Sequence, residues 1–150
     1  MSWNTYNIRK EALREVLAIA DRRREESTAT ELLATVKSAH DAFADEADLL
    51  LDVQMLWRQK LSGQLDLMLT AGAEDLEHLT INAWRTSAEA MPGARALLDA
   101  NLELPELKRA LDGERELVAR AAGIPWNHPD LRGQGQRIIE MAHFSGAIAA

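Results

Sequence analysis

The sequence predicts an all-α fold: an elongated bundle of about five helices with one long central helix over about residues 30–69. Ala, Leu, Glu and Arg dominate while aromatic residues are only 5% of the chain, a balance that favours helix over sheet. Between Glu31 and Leu69 there is no Pro and a single Gly, Gly63. Across that stretch Val36, Phe43, Leu50 and Trp57 recur at seven-residue intervals, with Ala39, Ala47, Leu61 and Met68 between and beyond them. Such spacing makes a lengthwise packing seam.

The first helix is expected from Thr5 to Glu26, with Ile8, Leu13, Val16, Leu17 and Ala20 on its apolar side. Its charged tail, Arg22 to Glu26, reads as a solvated end, because cations suit a helix C-terminus. Thr28 and Glu31 stand at capping-box spacing and open the long second helix. A third helix starts near Ala73, where Glu74, Asp75 and Glu77 suit the positive end of the dipole. It buries Leu76, Leu79, Ala83, Trp84 and Met91, and ends at Met91-Pro92-Gly93. A short ARALLDANL segment bridges to Pro105, which starts a fourth helix ending before Gly123. After the IPWNHP loop, Pro129 starts a fifth helix carrying Leu131, Ile138, Met141 and Ala142. Gly133, Gly135 and Gly146 weaken it, which suggests close backbone approach to a neighbour.

A second helix of about 40 residues would span about 60 Å, whereas a compact chain of this size is about 40 Å across. One chain would then leave part of the seam uncovered. The expectation is a homo-oligomer, in its simplest form a dimer, with Phe43, Leu50, Trp57 and Leu61 at the interface.

The same stretch carries Asp41, Asp45, Asp48 and Asp52, with no Lys or Arg between Ser38 and Trp57. On a continuous helix these four acids fall within an arc of about 60°. Like charges four residues apart repel by a few tenths of a kcal/mol. The stripe is thus a solvent face, a surface for a basic protein partner or a site for a divalent metal.

Composition limits the remaining options. A chain of 150 residues fits a single domain, 1–150, with a real core. Its net charge of −7 argues against direct nucleic-acid binding, because phosphate contacts need a basic stripe. It has no Cys, which excludes disulfides and thiolate chemistry. No apolar run resembles a signal peptide or reaches spanning length, so a cytoplasmic chain without membrane contact is expected.

Two segments have metal-ligand spacing, Asp75-Leu-Glu-His78 and Glu140-Met-Ala-His143. They resemble the Glu-x-x-His pairs of ferritin-like di-iron bundles, with Asp replacing Glu in the first. The resemblance implies an iron or manganese site on Asp75, His78, Glu140 and His143. Further acids would come from Asp45, Glu46 or Asp48 and from Glu114 or Glu116. The acids of DEADLLLD are also similar to the magnesium-binding helix of all-α nucleotide pyrophosphohydrolases of the MazG kind, which would give Asp45 and Asp48 that role. That family's preceding Glu-x-x-Glu helix has no counterpart among Glu25, Glu26 and Glu31.

No Gly-x-Ser-x-Gly, phosphate-binding loop or His-Glu-x-x-His occurs. The expected function is a non-enzymatic, cofactor-free, self-associating adaptor, scaffold or regulator with an acidic face. The alternative is a ferritin-like metal-binding protein or oxidoreductase.

Overall fold

A computed structural model describes the backbone of residues 2–70 and 75–149, and side chains through Phe144. Among the described residues every regular element is helical, with eight α-helices in place of the expected five or so. They are α1 (Trp3–Arg23), α2 (Ala29–Thr35), α3 (Lys37–Ala42), α4 (Glu46–Leu69), α5 (Leu76–Ala90), α6 (Pro92–Asp99), α7 (Lys108–Ala121) and α8 (Leu131–Ala149). Single 3₁₀ turns follow α1 at Arg24–Glu26 and precede α7 at Pro105–Leu107. The ARALLDANL bridge is largely α6, which Pro92 starts from the first helical position. Ala73 and Glu74, where the third helix was expected to begin, lie outside the described residues.

The long central helix is the main correction. Residues 29–69 form three helices, and the longest, α4, has 24 residues and a length of about 36 Å. The first break is at Val36, whose extended backbone (φ −90°, ψ 104°) ends α2 and starts α3. The second break is built by the acids themselves. Asp45 accepts the Asp48 N–H at 2.9 Å, while the Asp48 carboxylate reaches back to the Ala44 N–H at 2.9 Å. These reciprocal bonds satisfy backbone donors as a capping box does, and they start a helix where a continuous one was expected.

Shorter pieces fold back and cover their own seam. Leu50, Trp57 and Leu61 are 0% exposed and Phe43 only 5%. Their expected place at an interface between chains loses its basis, since one chain already removes them from water. Burying side chains of this size contributes about 1.5–3 kcal/mol each.

The chain divides into two compact units: Met1–Trp57 with Met91–Lys108, and Arg58–Ala90 with Arg109–Ala150. In the first, α1 buries Ala12, Leu13, Val16, Leu17 and Ala20 and packs on α3 and α6. Gly93 at the start of α6 meets the Ala20 backbone, with no room for a Cβ, and donates its N–H to Asp21 at 2.9 Å. The Arg95 guanidinium lies 4.5 Å over the Trp57 ring and pairs with Asp99 at 2.9 Å.

In the second unit α5 packs on α8, with Ala83, Trp84, Ile138 and Ala142 buried. Gly135 brings α8 against the Arg115 carbonyl of α7, as close as a residue without a side chain allows. Gly123, at φ 89°, closes the turn after α7. Among the described residues no helix is long and apolar enough to cross a membrane.

The two helical glycines Gly135 and Gly63 should respond oppositely to alanine. A Cβ at Gly135 collides with backbone, so Gly135→Ala should destabilise by about 1–3 kcal/mol. Gly63 faces open space within α4, so Gly63→Ala should stabilise by about 0.5–1 kcal/mol. Urea unfolding midpoints measure both.

Candidate functional site

The acidic stripe has a counter-ion that lies outside its own stretch of sequence. Arg9 sits on α1 one turn before Ala12 and Leu13, and so continues that helix's buried stripe. Its two terminal nitrogens grip Asp48 at 2.9 and 3.2 Å, and Nη2 also reaches Asp52 at 3.3 Å. Nη1 donates to the Ala42 carbonyl at 3.2 Å, and the guanidinium lies 4.8 Å over the Phe43 ring. A planar fork suits this combination of bidentate carboxylate and ring face.

The side chains of Arg9, Asp48 and Asp52 are 19, 31 and 28% exposed, so water only partly screens them. The Arg9 hydrogen bond holds the Asp48 carboxyl below its ordinary range against the opposing effect of burial, and the Ala44 N–H adds to the depression. Arg9 is correspondingly held more firmly protonated, chiefly by Asp48.

The expected acidic face is therefore divided. Asp48 and Asp52 are committed to Arg9, while Asp41 and Asp45 are exposed. A magnesium role for Asp45 and Asp48 fits poorly with this geometry. The capping bonds engage both carboxylates, and a guanidinium already supplies positive charge to Asp48.

Toward its N-terminus α1 presents aromatic surface. Trp3 is 76% exposed and Tyr6 48%, and their rings stack with centroids 5.8 Å apart. Ser2 caps the helix by accepting the Thr5 N–H at 3.1 Å. The Lys10 ammonium stands 6.0 Å from the Tyr6 ring centre. Helix α3 runs opposite to α1, since Ser38 donates to Glu15 at 2.6 Å while Ala42 accepts from Arg9. The corner that follows Ala42 accordingly lies toward the N-terminal end of α1. One end of this unit thus carries Trp3, Tyr6, Asp41 and Asp45. Sequence reasoning missed Arg9, Trp3 and Tyr6. The available signal was a cation on an otherwise apolar helix stripe, with two aromatic residues one turn apart before it.

The four proposed metal ligands are not brought together. Asp75 caps α5 by accepting the His78 N–H at 3.0 Å, and the His78 ring bonds Asn82 at 3.2 Å. Glu140 accepts from Gln136 at 2.9 Å, and His143 packs against the Trp84 ring at 5.4 Å. The carboxylate of α5 that faces α8 is Glu77, gripped by Arg137 at 2.9 and 3.3 Å. Of the further acids, the two on α7 are Glu114, 4% exposed, and Glu116, which accepts from Arg132 at 3.0 Å. Among the described residues no group of three His, Asp or Glu could hold a metal ion. The ferritin-like site is withdrawn for that reason.

No protein-family profile, curated protein or solved structure matches this chain.

The pairing of Asp48 with Arg9 and of Glu77 with Arg137 predicts acid sensitivity. Both carboxyls are held below their ordinary range, mainly by hydrogen bonds from Arg9 and Arg137 respectively. Their stabilisation is complete above the unfolded pKa values of about 4 and disappears as pH falls through the folded values. In Arg9→Met most of the Asp48 share should be lost, leaving the part due to the Ala44 N–H and giving a shallower fall in urea midpoint between about pH 5 and 3 than in wild type.

Proposed function

We propose that this chain is a non-catalytic helical interaction protein that captures a basic, partly apolar segment of a partner protein. The observation that carries the reading is a stacked, exposed aromatic pair, Trp3 and Tyr6, at the same end of one unit as the exposed carboxylates of Asp41 and Asp45. Trp and Tyr are the residues most enriched among those that dominate binding energy. Their ring faces also attract cations, as the position of Lys10 over Tyr6 illustrates. A partner's Lys or Arg would displace Lys10 from that ring, and further cations of the segment would meet the two carboxylates at the same end of the unit.

The net charge of −7 supports steering of a basic partner and works against pairing of like chains. Self-association was inferred from an uncovered seam, and the burial of Phe43, Leu50, Trp57 and Leu61 removes that basis.

Fluorescence anisotropy with a labelled amphipathic Lys/Leu peptide tests the reading. Binding should weaken as salt rises, and a peptide with Glu in place of Lys should not bind. The pair Trp3→Ala, Tyr6→Ala should weaken binding by about tenfold or more. Asp41→Asn with Asp45→Asn should weaken it while leaving the fold intact, because Asn caps a helix as well as Asp does. Equal binding of the Glu peptide, or full affinity in both variants, would contradict the proposal.

A further inference from the structure

A second recognition feature lies in the other unit and uses none of the residues invoked above. Between the later turns of α4 and the face of α7 runs a cleft of about 410 Å³, within the range of small-molecule sites. It is open because its walls carry small residues, Ser62 on α4 and Gly113 and Ala121 on α7, where larger side chains would fill it. Its apolar wall is Leu65, Leu69 and Leu117. The Arg58 guanidinium lies across Gly113, 2.8 Å from where a Cβ would stand.

Four charged side chains also line the cleft. Glu116 is engaged by Arg132 at 3.0 Å. Asp66 is exposed at the edge. The other two, Arg58 and Arg120, lie on opposite walls. Neither has an ion pair or side-chain hydrogen bond among the described residues, in a chain whose net charge is −7. Arg120 stands seven residues after Gly113, about 10 Å further along α7. The cleft therefore joins two available guanidinium groups to a leucine wall, with Asp66 and Glu116 limiting how much negative charge it accepts.

We propose that this cleft binds a small amphipathic monocarboxylate. Arg58 or Arg120 holds the carboxylate by forked hydrogen bonds, and the aliphatic or aromatic body lies on Leu65, Leu69 and Leu117. A phosphate or polyphosphate dianion is disfavoured because it brings a second charge toward Asp66 and Glu116.

Isothermal titration of the full chain with butyrate, hexanoate and octanoate, and with octanol and inorganic phosphate as controls, tests this. Affinity should rise by about three- to fourfold per added methylene. Octanoate should bind about tenfold or more tightly than octanol, and phosphate should not bind measurably. Arg58→Gln with Arg120→Gln should reduce octanoate affinity to that of octanol. Ser62→Leu, or independently Ala121→Leu, should abolish binding by filling the cleft. The proposal is overturned if octanoate fails to bind at millimolar concentration or binds no better than octanol, or if phosphate competes with it. It also fails if octanoate keeps its advantage over octanol in the arginine pair, or still binds both filling variants.

Discussion

The first unit depends on how a dense run of carboxylates is neutralised. Asp48 meets Arg9 from a helix 39 positions earlier in the chain, and that guanidinium also reaches Asp52, the Ala42 carbonyl and the Phe43 ring. A single side chain thus ties α1 to the end of α3 and the start of α4. Asp48 has a second role, because its carboxylate also accepts the Ala44 N–H that the broken helix would leave unsatisfied. The break, the cap and the ion pair form one local arrangement. With the helix broken there, Phe43 and Trp57 are covered by their own chain.

The second unit uses the same kind of fastening with different residues. Arg137 and Glu77 join α8 to α5, and Arg115 joins α7 to α8 through Gln136 at 2.7 Å. Gly135 fixes the closeness of α7 and α8 by having no side chain. Asp75, His78 and Glu140, read from the sequence as metal ligands, are engaged instead by a helix cap, by Asn82 and by Gln136. What is left at the surface is a stacked pair of exposed rings and two exposed carboxylates at one end of the first unit, and in the second a cleft lined by Arg58, Arg120 and three leucines.

Much of the helical content was legible because its signals are local. The Thr28 N-cap forms where its spacing implies, with Glu31 N–H donating to Thr28 at 3.1 Å, and the close approach suggested for the α8 glycines is made at Gly135. The error over about 30–69 came from one pattern with two meanings. Acids three and four residues apart describe a solvent stripe within a helix, but Asp followed three residues later by an acid also describes a helix start. The seven-residue apolar spacing persisted across the break and concealed it. The metal reading failed for a related reason: Asp-x-x-His places both residues on one face, yet Asp75 serves as a cap and His78 bonds within its own helix. The decisive partner of the acids, Arg9, was remote in sequence, and pairing at such separation is set by tertiary packing.

The central claim is that Arg9 and Asp48 act as a coupled internal node, and a double-mutant cycle measures that coupling directly. Urea unfolding at neutral pH of wild type, Arg9→Met, Asp48→Asn and the double variant isolates the pairwise energy, since Asn at 48 can still accept the Ala44 N–H. The account predicts a favourable coupling of about 1 kcal/mol or more, at or above the upper end for exposed ion pairs. A coupling within about 0.3 kcal/mol of zero would contradict it and return Asp48 to an ordinary solvent-facing acid.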